Sequence, residues 1–123
     1  MKLHLEQHGV QNTVTGYGDG YIEINRQRYE ASLVLLPDRI APDWVRGGFA
    51  ALTEADLRRL LDFLPELVLL GTGARQRFPQ PALLRPLIEA RIGFEVMDLQ
   101  AACRTYNILM GEGRRVAAAL LFD

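Results

Sequence analysis

The stretch 94–121 constrains the fold most, because it carries in turn the signals of a strand, a helix and a second strand. The apolar run 94–97 ends at Asp98, whose carboxylate can accept hydrogen bonds from the free N–H groups of a first helical turn. The next apolar residues recur with helical spacing, as in a helix that covers a sheet: Leu99, Ala102, Cys103, Tyr106, Leu109 and Met110. Gly111 stands where a left-handed helix cap is expected, and 115–122 reads as a returning strand.

The N-terminal half carries strand and turn signals. Residues 16–20 are rich in glycine but lack the helix and the lysine of a phosphate-binding loop, so we expect a hairpin turn. Residues 21–25 alternate in polarity, and 28–36 follow after a short turn, which predicts a hairpin between the two. Leu33–Leu36 is apolar throughout, as in a strand buried on both faces. We expect 37–48 to be a loop.

Two helices with a strand between them are predicted in the middle of the chain. Thr53 should cap the first helix, with Asp56 completing a capping box, and its apolar stripe is Leu57, Leu60, Leu61 and Leu64. The apolar run 67–70 is typical of a central parallel strand. The second helix is predicted over 81–91, with Leu83, Leu84, Leu87 and Ile88 as its apolar face; it either begins near Pro86 or is kinked there.

This order of elements, N-terminal β-hairpins followed by β-α-β-α-β, predicts a layered α/β fold. The hairpins either extend the main sheet or form a second, smaller one. With 123 residues, we expect a single domain spanning 1–123.

Composition excludes several classes of protein. A net charge of −1 argues against a nucleic-acid binder. Cys103 is the only cysteine, so an intrachain disulfide is impossible and a reducing compartment is expected. No apolar run approaches the ~20 residues that cross a bilayer, and the N-terminus does not resemble a signal peptide. We therefore expect a bacterial cytoplasmic protein without membrane insertion; a mitochondrial matrix protein without its transit peptide is the alternative.

The sequence predicts no catalytic residue, metal site or cofactor. His4 and His8 have the spacing of a metal pair on a helix, but their segment does not read as a helix, so we interpret them as ordinary histidines. The glycine pair of 71–73 follows a predicted strand, at the edge where α/β proteins bind ligands, although a tight strand exit explains it better. Cys103 has no histidine near it in sequence and is interpreted as a small apolar filler.

The outward face of the last predicted helix is the more informative candidate. If Leu99 is at the centre of the buried side, then Ala101, Arg104 and Ile108 lie opposite it. An arginine beside an exposed isoleucine suits a protein interface, because the two combine a cation of several donors with apolar area. The alternative is a solvated arginine beside one stray apolar residue.

Four segments resemble a small family of unknown function: 69–73, 92–98, 101–107 and 112–120, read as LLGTG, IGFEVMD, AACRTYN and EGRRVAAAL. The family includes the mitochondrial respiratory complex I assembly factor 3 proteins and bacterial conserved hypothetical proteins. The resemblance covers nearly the whole chain. It implies a three-layer β+β/α fold with a mixed central sheet and, for the mitochondrial members, a non-catalytic role in binding other proteins.

The resemblance also brings forward residues that line a shared pocket near the strand ends: Thr72, Gly73, Asp98, Arg104, Tyr106 and Asn107. Together with Ile108 they form the predicted binding set. The first hypothesis is a protein-binding or assembly factor whose partner is a protein, with a subunit of a membrane complex as the candidate. The alternative is a protein or enzyme that binds a small anion or metabolite at the turn 71–73, with Arg104 or Arg75. A structural homo-oligomer is the third possibility.

Overall fold

The structure is a computed structural model of the chain, and it describes residues 11–123. His4 and His8 lie outside these residues, so the interpretation of both histidines stays a prediction.

The described residues contain eight strands and three α-helices. The strands are β1 Val14–Gly18, β2 Tyr21–Ile24, β3 Gln27–Tyr29, β4 Leu33–Leu36, β5 Arg39–Pro42, β6 Leu67–Thr72, β7 Gly93–Met97 and β8 Val116–Leu121. The helices are α1 Glu54–Arg59, α2 Arg85–Glu89 and α3 Leu99–Gly111. Short 3₁₀ helices cover Phe49–Ala51, Leu60–Phe63 and Pro81–Leu84.

The described strands form two sheets. The larger has the order β5-β4-β8-β6-β7, and the smaller is the antiparallel meander β1-β2-β3. In the larger sheet β6 runs parallel to β7 and β8, whereas β4 runs antiparallel to β5 and β8. The predicted mixed α/β sheet is therefore confirmed; β1, β2 and β3 form a separate small sheet, whereas the hairpin of β4 and β5 extends the large one.

The two faces of the large sheet carry separate cores, because successive residues of a strand point to opposite faces. On β8, Ala118 and Leu120 face the first core, which α3 and the small sheet cover; Ala117 and Ala119 face the second, which α1, α2 and Trp44 cover. All four residues are buried, which explains the alanines of this strand: small side chains let helices lie close to both faces.

Two strand predictions are wrong in detail. The predicted strand 28–36 is two strands in different sheets, β3 and β4, separated at Ser32. The Ser32 hydroxyl donates to the carbonyl oxygen of Val45 (2.6 Å) and accepts from its N–H (2.8 Å), which ties the break to a distant segment. The predicted loop 37–48 contains β5, which pairs with β4 as a hairpin.

The helix starts are as predicted, but the ends are not. Thr53 and Asp56 form the capping box of α1. The helix becomes 3₁₀ after Arg59, so Leu64 has left the buried stripe and is 79% exposed. Regular helix begins at Arg85, which confirms one of the two alternatives for Pro86; Ile88, expected on the apolar face, is exposed.

Candidate functional site

Helix α3 positions most of the predicted binding residues, and both of its ends are fixed by local chemistry. The Asp98 carboxylate accepts a hydrogen bond from the N–H of Ala101 (2.8 Å), as its position before the helix predicts. The left-handed residue is Gly113 (φ 85°) rather than the predicted Gly111, which still belongs to the helix. The N–H of Gly113 donates to the carbonyl oxygen of Met110, and the N–H of Arg114 donates to that of Leu109. These two hydrogen bonds complete a Schellman motif.

One side of α3 is open to solvent, and we call Tyr17, Arg104 and Ile108 on this side the α3 surface. Ile108 is 62% exposed. The Arg104 guanidinium, also exposed, donates to the hydroxyl of Tyr17 on β1 (3.1 Å), and this hydrogen bond raises the pKa of the arginine. Because Arg104 and Ile108 are four residues apart on a helix, they are neighbours on the same face.

Tyr106 and Asn107 anchor the small sheet to α3. The buried Tyr106 donates its hydroxyl proton to the carbonyl oxygen of Asn12 (2.8 Å). The Asn107 amide accepts from the N–H of Val14 (3.0 Å) and donates to its carbonyl oxygen (2.8 Å), as a neighbouring strand would. The polar groups of both side chains are therefore engaged within the fold.

Thr72 and Gly73 form the strand exit that the sequence favoured over an anion site. The buried Thr72 hydroxyl donates to the carbonyl oxygen of Arg75 (2.8 Å) and accepts from the N–H of Arg77 (2.9 Å). Gly73 has φ 87°, and a Cβ there would collide with the backbone oxygen of Asp123. A side chain is thus excluded at Gly73 both by backbone conformation and by space.

A cleft of about 210 Å³ lies at the strand ends, between the turn that joins β1 to β2 and the start of α3. Gly73 and Asp98 line it, and so does Asp19. Two carboxylates and no arginine or lysine are found among the described lining residues, so no cationic side chain in the cleft is available to pair with an anion. This geometry gives no support to the small-anion alternative.

The predicted binding residues do not form one site. Asp98 and Ile108 are separated by ten residues of helix, which is about 15 Å along its axis. Thr72, Gly73 and Asp98 belong to the strand ends, whereas Arg104, Asn107 and Ile108 lie further along α3.

Cys103 is fully buried against the large sheet. Burial raises the pKa of its thiol to about 12, and the attraction of neighbouring Arg104 only partly offsets the desolvation. Both histidines of the chain precede residue 11, so the described residues supply no imidazole as a general base. This environment is that of a packing residue and not of a nucleophile.

Native Cys103 is expected to react with a thiol reagent such as Ellman's reagent at pH 8 at least about 1,000-fold more slowly than in the unfolded chain. A pKa near 12 leaves little thiolate at that pH, and burial blocks access. The raised pKa also means that stability falls as pH rises from 9, the ordinary value, toward 12, because the unfolded chain releases the proton first. Fast labelling without unfolding would contradict this environment.

Residues 11–123 contain neither a cluster of metal ligands nor a helix that could span a membrane. No group of three or more histidine, cysteine, aspartate or glutamate side chains comes together there to hold a metal ion. Among the helices of this part of the chain, none combines the length and the apolar character needed to cross a bilayer.

Comparison with solved structures confirms the fold. The crystal structure of a protein from Bordetella parapertussis matches with a TM-score of 0.86 and 46% sequence identity, over 93% of this chain and 98% of that one.

Two curated relatives carry different names. NADH dehydrogenase (ubiquinone) 1 alpha subcomplex assembly factor 3 of Bos taurus is 34% identical over 110 residues, which is 88% of this chain and 59% of the bovine protein. The chain thus spans less than two thirds of that relative. The 13 kDa major membrane protein of Francisella tularensis is 30% identical over 122 residues, which is 97% of this chain and 99% of that protein.

The model of one family, described as proteins of unknown function, matches residues 14–121. These limits run from the first residue of β1 to the last residue of β8. The chain therefore belongs to the DUF498/DUF598 family, as the resemblance of its sequence segments implied.

Proposed function

We propose that this chain is a non-catalytic protein-binding factor that acts in the bacterial cytoplasm and helps to assemble a membrane complex. The observation that carries the proposal is the α3 surface, where exposed Ile108 lies beside an arginine that Tyr17 holds in place. Arginine and tyrosine are enriched among the residues that dominate protein interfaces. A guanidinium already held in one orientation loses less conformational entropy on binding than a free one.

The names of the relatives support a subunit of a membrane complex as the partner. The bovine relative is named as an assembly factor for NADH dehydrogenase, and the Francisella relative is named as a membrane protein. A shared scaffold that binds subunits of membrane complexes is consistent with both names. The proposed partner of this chain is accordingly a subunit of such a complex, bound through the α3 surface.

The Ile108→Asp variant is expected to capture at least about 10-fold less partner than the wild type does from the host's detergent-solubilised lysate. A carboxylate in place of the isoleucine would have to be desolvated at the centre of the interface. Co-purifying subunits would be quantified by mass spectrometry.

Ile88→Asp is the matched control, because Ile88 is also an exposed apolar residue of a helix and α2 packs on the opposite face of the large sheet from α3. It should retain full capture. Equal capture by wild type and both variants would contradict a role for the α3 surface.

A further inference from the structure

Phe78 is exposed in an unusual way, because the loop that carries it is otherwise held firmly. Its side chain is 70% exposed, although the preceding residue is half-buried and the following Pro79 is buried. Because an exposed phenylalanine buries little of its apolar area, it contributes little to the stability of its own fold. Phe78 is not among the binding residues predicted from the sequence; its only signal there is an isolated aromatic in a segment rich in arginine and proline.

The loop is anchored by the two residues that precede Phe78. Arg77 donates from its guanidinium to the carbonyl oxygen of Thr72 (2.8 Å) and to the Asp123 carboxylate (3.2 Å). The same guanidinium lies over the ring of Phe49, 4.5 Å from its centroid. Gln76 donates to the carbonyl oxygen of Val96 on β7 (2.8 Å). The position of Phe78 is therefore fixed before a partner binds, which reduces the conformational entropy lost on binding.

A groove of about 380 Å³ adjoins this aromatic ring, and most of the side chains that line it are apolar. Its lining, here named the Phe78 groove, consists of Phe49, Ala50, Leu52, Phe78, Pro79, Gln80 and Leu83. None of these described lining residues is charged. The groove can therefore accommodate apolar side chains, but its lining residues provide no charged group for an ion pair.

Two arginines are close in sequence to residues that line the groove. Arg75 precedes Phe78 by three residues and Arg85 follows Leu83 by two, and both are exposed. Neither has a carboxylate partner within the described part of the chain. Two of the nearby carboxylates are already paired, Glu54 with Arg58 and Asp123 with Arg77. Glu89 lies one helical turn beyond Arg85 on α2.

We propose that the Phe78 groove docks an acidic amphipathic segment of a partner protein. The segment inserts apolar side chains against Phe78 and Leu83 and sets carboxylates against Arg75 and Arg85. The chemistry follows from a groove with mostly apolar side chains and from two neighbouring arginines that have no carboxylate partner among residues 11–123.

The groove and the α3 surface lie on opposite faces of the large sheet. Phe49 and Leu83 pack against the core beneath α1 and α2, whereas α3 covers the other core. Two polypeptides can therefore bind at the same time, so that one molecule holds two segments near each other. The groove proposal does not depend on the α3 surface, and either can fail alone.

The test is selection of phage-displayed random peptides, about a dozen residues long, on the full chain, followed by affinity measurement with the selected peptides. The selected peptides should combine aspartate or glutamate with leucine or aromatic residues. Their affinity should fall at least about 10-fold on Phe78→Ala and on the Arg75→Glu/Arg85→Glu double variant. Peptides in which lysine replaces the acidic residues should regain affinity for the double variant.

Ile88→Ala and Ile108→Asp are the controls, because Ile88 is exposed on α2 without lining the groove and Ile108 lies on the other face. Both should bind the peptides as wild type does. Failure to select any peptide, selection without acidic residues, or equal binding to Phe78→Ala would overturn the proposal. A dimer in light scattering that Phe78→Ala abolishes would also overturn it, since a second copy would then be the occupant.

Discussion

The Arg104→Glu variant is expected to bind its protein partner at least about 30-fold more weakly than the wild type. The substitution removes the guanidinium, breaks its hydrogen bond to Tyr17 and puts a negative charge where the proposed interface has a cation. The fold should survive, because the side chain is exposed on the outer side of α3. The partner recovered by capture with the wild type, once purified, serves as the ligand in a calorimetric titration.

Arg91→Glu is the matched control for this charge reversal. Arg91 is exposed just after α2, in the layer on the opposite face of the large sheet. Its reversal changes net charge by the same amount and should leave affinity within about twofold. If the two variants lost affinity equally, the effect would be one of overall charge and the α3 surface would not be the contact.

Tyr106→Ala is expected to lower the free energy of unfolding by about 3–5 kcal/mol, as truncation of a fully buried aromatic residue does. The ring fills the core between α3 and the sheets, and its hydroxyl holds Asn12. Urea denaturation followed by circular dichroism would measure the change.

Tyr106→Phe separates the two contributions of this residue. It keeps the ring and removes only the hydrogen bond to Asn12, so we expect a loss of about 1–2 kcal/mol. Partner binding should stay unchanged, because the side chain is buried. A variant of full stability that failed to bind would show that Tyr106 belongs to the binding site after all, as the family resemblance implied.

Local patterns predicted the helices and buried strands well, because their chemistry acts between near neighbours. The capping box of Thr53 and Asp56, the cap at Asp98 and the apolar arc of α3 all involve groups a few residues apart. The strand β8 could also be expected, despite the helical propensity of its alanines, because glycines end the preceding helix.

Features that depend on distant contacts could not be predicted. The break between β3 and β4 is stabilised by hydrogen bonds from Ser32 to Val45. Asn107 belongs to the binding set that the family resemblance implies, yet its amide serves as a hydrogen-bonding partner of β1.

The candidate site was predicted only in part, for the same reason. Helical spacing alone places Arg104 and Ile108 on one face. The exposure of Phe78 could not be predicted, because it results from contacts of Arg77 with Phe49 and Asp123, which are far away in the chain.

The most direct test of the assembly-factor account is native gel electrophoresis with quantitative proteomics of the host's membranes after deletion of the gene. The account predicts that one membrane complex falls in amount while its unassembled subunits persist. Wild-type protein should restore the complex, and Arg104→Glu should not, at equal expression. If every membrane complex kept its normal amount and size without the protein, the central claim would be wrong.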